Sequence, residues 1–207
     1  MPAQGGDAHP TDPRRRAIIE HARRHFIHDG FAATKIELIA REAGVSTATL
    51  YAFFAGKAEL FNAVIEDAAA DFSQALDCVQ IVEGDAREQL IRFAEAYAAF
   101  MGDPFVRSVF RLVVAERPRF QGVASHFFER GRQEIGKTLM AMLARMIEAG
   151  ELKPLPKVSW AAGQLLGMIE HPVFFVPMVT GDDVQVNRSR EEIVAQAVET
   201  FLARYGA

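Results

Sequence analysis

Cysteine is all but missing from this chain of 207 residues: Cys78 stands alone, so no internal disulfide can form and no cysteine-rich metal site is available. Such a chain fits a reducing, cytoplasmic setting. The first residues, MPAQGGDAHPTDPRRR, hold no apolar core of a leader, so no signal peptide is expected. No stretch alternates apolar and polar residues as a half-buried strand would, and neither an internal repeat nor a low-complexity tract is present. Glu116, His126, Glu170 and His171 can ionise, but no sequence context gathers a nucleophile, a base and an orienting group. Enzymatic chemistry, a metal and a cofactor are therefore not expected.

Long apolar runs are also scarce. Residues 158–181 form one, with Glu170 its only acidic or basic residue besides His171. It is long enough to span a bilayer. Glu170 would then sit near mid-membrane at a cost of about 2.5–3.5 kcal/mol, and Pro172 and Pro177 interrupt the run. A covered helix, with no membrane partner, is the expectation.

What the chain does have is apolar residues at half of all positions, enough for one or two small domains with real cores. Its charge of −4 is unevenly spread. Residues 14–57 carry eight basic and four acidic side chains, a local +4, which leaves −8 for the rest. A basic N-terminal segment on an acidic body points to an anionic partner at that end.

The punctuation is helical almost throughout. Asp12-Pro13 reads as an N-cap and first helical position, and Ala17, Ile18, Ala22, Phe26 and Ile27 then recur at helical spacing up to Gly30. Thr34 and Glu37 have the spacing of a capping box, predicted to open a short helix from Lys35 to Glu42 or Ala43. Gly44 supplies a turn, and Ser46 caps a third helix over 47–54. A fourth runs from Lys57 to about Cys78. Five more are predicted beyond Glu83, opened by Asp85 with Glu88, by Asp103-Pro104, near Phe120, at Lys157 and by Ser189 with Glu192. The fold class is all-α, with about nine helices.

Two short helices joined by a Gly-containing turn and preceded by a support helix make a helix-turn-helix. Its second helix enters the major groove, so its first residues should be small and polar. Ser46, Thr47, Ala48 and Thr49 have that character, their hydroxyls suited to bases or phosphates and Ala48 to a thymine methyl. Tyr51 adds a phenol, and Lys57 at a helix start suits a phosphate.

The segment TKIELIAREAGVSTATLYAFFAGKAEL, with its flanks over roughly 14–60, resembles the DNA-binding motif of the TetR family of bacterial repressors. The resemblance implies DNA contacts at Thr34, Lys35, Ser46, Thr47, Ala48, Thr49, Tyr51, Phe53 and Lys57. Phe53 departs from the pattern, which usually has His or Tyr there; its ring either meets the DNA or packs. VVAERPRF, HFFERGRQ, GELKP and AAGQLLGMI resemble the AefR-like branch.

The implied organisation is a disordered arm at 1–13, a DNA-binding domain at 14–60 and an effector-binding and dimerisation domain at 61–207. Phe93, Tyr97, Phe100, Phe110, Met142, Met146, Met168, His171 and Phe174 are candidates to line a pocket for a small apolar or amphipathic effector, with ordinary core as the alternative for each. Gly163 and Gly167, with Ile193, Val194, Ala197, Val198 and Phe201 of the last helix, are candidates for a homodimer interface. The function implied is a repressor released by its effector from a palindromic double-stranded DNA operator. The rival is a helical interaction protein of the same fold that has lost DNA binding.

Overall fold

The structure, a computed structural model, describes residues 12–77, 84–182 and 188–207. The N-terminal arm and Cys78 fall outside these, apart from Asp12 and Pro13. Among the described residues every regular element is a helix, in the order α1 Pro13–Ala33, α2 Ile36–Glu42, α3 Thr47–Phe53, α4 Lys57–Asp77, α5 Ala86–Met101, α6 Pro104–Glu116, α7 Gln121–Glu148, α8 Val158–Glu170, a π-helical turn His171–Phe175, α9 Val176–Thr180 and α10 Arg190–Tyr205.

The caps explain most of these boundaries. Asp12 accepts from Arg14 N at 2.8 Å and Pro13 takes the first helical position. Ser46 accepts from Thr49 N at 3.0 Å, and Asp85 from Glu88 N at 2.8 Å. Ser189 and Glu192 form the reciprocal capping box that their spacing predicts. Each such cap contributes about 0.5–2 kcal/mol.

Two expectations need correction. Thr34 does not open α2. Its hydroxyl donates to Gly30 O at 2.7 Å, satisfying a carbonyl at the end of α1, and the residue is buried. Lys35 takes the N-cap position of α2 without a side-chain hydrogen bond. The helix that begins at 158 does not stop near Val176 either; it continues to Thr180 through the π turn. Pro172 lies in that turn, where it removes a donor and crowds the preceding turn, and one wider turn relieves the clash.

The chain divides into two compact units. One takes the described residues of Met1–Ala69 together with Leu112–Phe127, so the region around the α6–α7 turn joins the N-terminal segment. Its centre is a ring cluster. Phe61 lies 5.3 Å from Phe26, 5.3 Å from Phe31 and 4.7 Å from Phe120, and Phe31 lies 4.8 Å from Phe120. Ile18, Ala22, Ile39, Leu50 and Leu60 complete this core, fully or almost fully buried.

The other unit takes Ala70–Arg111 and Phe128–Ala207. Here α10 packs on α5 and α8. Glu151 accepts from Ala86 N at 2.5 Å at the start of α5, and its carbonyl accepts from Ala207 N at 3.1 Å. Arg107 is 5 % exposed. Its guanidinium donates to Asp182, to Gly102 O at 2.7 Å and to Val173 O at 3.2 Å, so a buried cation is fully engaged.

Candidate nucleic-acid interface

The surface that α3 presents is set by what lies behind it. Leu50 is fully buried and Phe54 nearly so, which by area alone contributes about 1.5–3 kcal/mol each. Gly44 makes the turn with φ 69°, a conformation that glycine adopts without strain, and Val45 N donates to Ala40 O at 2.9 Å. With Leu50 fixed inward, Ser46, Thr47, Ala48 and Tyr51 are exposed. Thr49 is half-buried, its hydroxyl 2.9 Å from that of Ser46. The free N–H groups at the helix start lie among these hydroxyls.

Helix α2 is held to α1 by a cluster of imidazoles and carboxylates. Glu42 Oε2 lies 3.0 Å from His25 Nε2 and 3.4 Å from His21 Nδ1, while His25 Nδ1 is 3.3 Å from Asp29. Hydrogen bonds from His25 and then His21 hold the Glu42 carboxyl below its ordinary range, and His28 and then His25 do the same for Asp29.

Of the nine residues expected at DNA, Lys35, Ser46, Thr47, Ala48 and Tyr51 are exposed. Thr34 is not available: at 3 % exposure, with its hydroxyl committed to Gly30 O, it positions the α1–α2 corner. Lys57 has a second task. Its ammonium donates to Ala32 O at 2.9 Å and stands 4.9 Å from the Phe31 ring centre, and burial, then the charge of Arg119, depress its pKa. Phe53 is half-buried with the Arg14 guanidinium 5.6 Å over its ring, and Arg15 sits 5.2 Å over Phe54. Cation–π contact thus puts an exposed guanidinium beside the end of α3. That guanidinium is also held by Asp12, with Arg14 Nη2 2.8 Å from Asp12 Oδ2.

A family model described as bacterial regulatory proteins of the tetR family matches residues 18–64, and one described as the AefR-like transcriptional repressor C-terminal domain matches 88–207. The chain belongs to the TetR family. Among curated TetR-type relatives it is 30 % identical to the HTH-type transcriptional repressor NicS of Pseudomonas putida over 73 % of this chain and 69 % of that one. Among solved structures it resembles a TetR-family transcriptional regulator from Mesorhizobium loti, at TM-score 0.80 and 25 % identity over 94 % of this chain and 97 % of that one. It likewise resembles the flavonoid-responsive regulator FrrA, at TM-score 0.72 and 25 % identity over 93 % and 97 %. As in that family, the chain is a DNA-binding transcriptional regulator with a helix-turn-helix.

The residues expected to line an effector pocket differ in burial. Phe93, Tyr97, Met142 and Met146 are buried, and Phe100, Phe110, Met168 and Phe174 half-buried. Tyr97 donates its hydroxyl to Glu170; burial, then the Glu170 charge, push the phenol pKa far up. Phe110 and Phe174 meet edge to face at 4.8 Å. His171 is exposed and stacks on Phe175 at 5.7 Å.

The expected dimer residues separate into two groups. Ile193, Val194, Ala197, Val198 and Phe201 are buried inside the protomer, where α10 meets α5 and α8, and so offer nothing to a partner. Apolar spacing on α10 marks the protomer's own core. Gly163 and Gly167 are exposed, and a Cβ added to either would meet nothing within 4 Å. On the same stretch Trp160 is 73 %, Phe175 51 % and Val179 67 % exposed. By length and composition the run Val158–Thr180 could cross a membrane, yet its one carboxylate, Glu170, is engaged by Tyr97 within the protomer.

Proposed function

We propose that the protein is a cytoplasmic homodimeric repressor that sits on a palindromic operator and leaves it when a small molecule binds. The observation that carries the DNA half is the outer surface of α3: three hydroxyls, one methyl and a phenol on a helix whose inner face is locked by Leu50. That is a surface for base edges and phosphates rather than for another protein core.

The dimer half rests on the uncovered stripe of α8 and α9. A protomer in water would leave Trp160, Phe175 and Val179 wet beside two bare glycines. A second copy brought against the same face by a two-fold axis would cover both stripes at once, glycine backbone to apolar side chain. A flavonoid-responsive relative of the same fold supports a small-molecule signal, which the dimer would convert into a changed spacing of its two α3 helices.

Footprinting over the DNA upstream of the coding region tests the reading. Two protected half-sites about one helical turn, or a multiple, apart are expected. A single unpaired site would remove the dimer. Absence of any protected sequence, with the protein folded, would favour the interaction-protein alternative.

A further inference from the structure

Residues 117–120 make the turn between α6 and α7, and its backbone is pinned: Arg119 N and Phe120 N both donate to Glu116 O, at 3.0 and 2.9 Å. Phe120 places its ring 4.8 Å from Phe31 and 4.7 Å from Phe61, within the cluster that holds α1 to α4. Beside that anchored ring stands Arg119, with its guanidinium 5.0 Å from the Phe31 ring centre. Lys57, the first residue of α4, brings its ammonium to 4.9 Å from the same centre. One ring at the end of α1 therefore carries two cations, delivered by elements far apart in sequence.

Two like charges held on one ring repel each other. After burial, the Arg119 charge lowers the Lys57 pKa, and Glu116 opposes it. Among the described residues neither cation forms an ion pair. Lys57 donates one hydrogen bond, to Ala32 O, and the exposed Arg119 guanidinium has no hydrogen-bond partner there. A guanidinium presents five N–H donors in a fixed fork, and stacking on a ring orients that fork. Oriented donors, a second cation and no internal ion-pair partner suit a group with several anionic oxygens. Position narrows the choice. Phe31 and Ala32 lie just before the Thr34 corner that leads into α2, Lys57 follows α3, and Arg119 belongs to the same compact unit as these helices. The anion that fits is one carried by the molecule α3 engages.

We propose that Arg119 is a DNA-backbone contact, taking a phosphate alongside Lys57, so that the interface extends beyond the helix-turn-helix to the α6–α7 turn. This rests on the DNA-binding assignment of the chain. The contact carries no base information, because a phosphate is the same in every sequence; Arg119 adds grip and register. Sequence reading has no means to find it, since Arg119 lies far outside 14–60 and reaches Phe31 only through folding.

A random-sequence DNA duplex is the probe, since a phosphate contact needs no operator. Its binding to the full-length protein is followed by fluorescence anisotropy over a series of KCl concentrations. Arg119→Gln should weaken binding and lower the log–log salt slope by about 1 for each protomer engaged, with the protein still folded by circular dichroism. Arg119→Lys should recover most of the slope. A second measurement needs no variant: phenylglyoxal, which modifies exposed guanidinium groups, should react with Arg119 of the wild type more slowly when the duplex is bound, read by peptide mass spectrometry. An unchanged slope in Arg119→Gln, a slope that Arg119→Lys does not recover, or equal modification with and without DNA would overturn the proposal. A wild type that binds the duplex yet gives these results is still a DNA-binding regulator, one that holds its phosphates elsewhere. A wild type that binds neither the random duplex nor the DNA upstream of its coding region loses the regulator and this contact together.

Discussion

Helix α3 and the α8–α9 stretch both leave side chains uncovered, and the chemistry left outside is opposite. On α3 it is hydroxyls, a methyl and a phenol. On α8–α9 it is an indole, a phenylalanine ring, a valine and the bare backbone of two glycines. The first surface rewards a partner that matches it hydrogen bond by hydrogen bond; the second rewards any close-fitting surface that excludes water. A polar outer face therefore encodes discrimination, and an apolar one encodes association.

Replacing core aromatics behind α3 would break the first side of that comparison most completely. Phe61→Ala removes a ring in contact with three others and should lower unfolding free energy by about 3–5 kcal/mol, read from urea denaturation. A loss under about 1 kcal/mol would mean that the ring cluster does not hold the N-terminal unit.

Substitutions on the second side should separate association from folding. Gly167→Leu projects into open space, so the fold should persist while the dimer weakens by about 1–3 kcal/mol through overpacking, seen by sedimentation. Ala197→Leu, inserted into the buried α10 contact, should instead lower the unfolding midpoint by a comparable free energy, about 1–3 kcal/mol. If Ala197→Leu dissociates a stable fold and Gly167→Leu does not, the interface lies on α10 after all.

Thr47→Ala should cost about 1–3 kcal/mol of discrimination at particular base pairs with little loss on random DNA, measured by competition binding. A uniform loss across sequences would reassign Thr47 to phosphate. Lys57→Ala has the smallest expected effect on binding, a fall of about 1 in the log–log salt slope. It should also lower stability, because the Ala32 carbonyl and the Phe31 face lose their cation. Lower stability with an unchanged slope would make Lys57 a tie and not a contact.

The DNA-binding half was the more legible in sequence because its signals are local. Asp12-Pro13, Gly44 and Ser46 act within four residues of themselves, and each does so here. Thr34 misled because the same hydroxyl that opens one helix can also close the previous one; Gly30, four residues before it, offers the competing acceptor. Farther along, the periodicity identified the faces of α8 and α10 but not what covers them. Ile193 and Val198 met α5 and α8 of their own chain, a choice made by long-range packing that spacing does not record.

The π turn at His171–Phe175 acts on the surface as a one-residue insertion without a loop. Each α-helical residue advances the side chain by about 100°, so one extra residue in a turn sets back everything after it by that much. Counted straight on from Trp160 and Gly167 at α-helical pitch, Phe174 and Met178 would continue the outward line. With the turn in place Phe175 and Val179 continue it, while Phe174 swings onto Phe110. A homologue of the same length that stayed α-helical here would align without a gap and yet turn a different set of side chains outward. Two such chains would match residue for residue in alignment and differ in the face they leave uncovered.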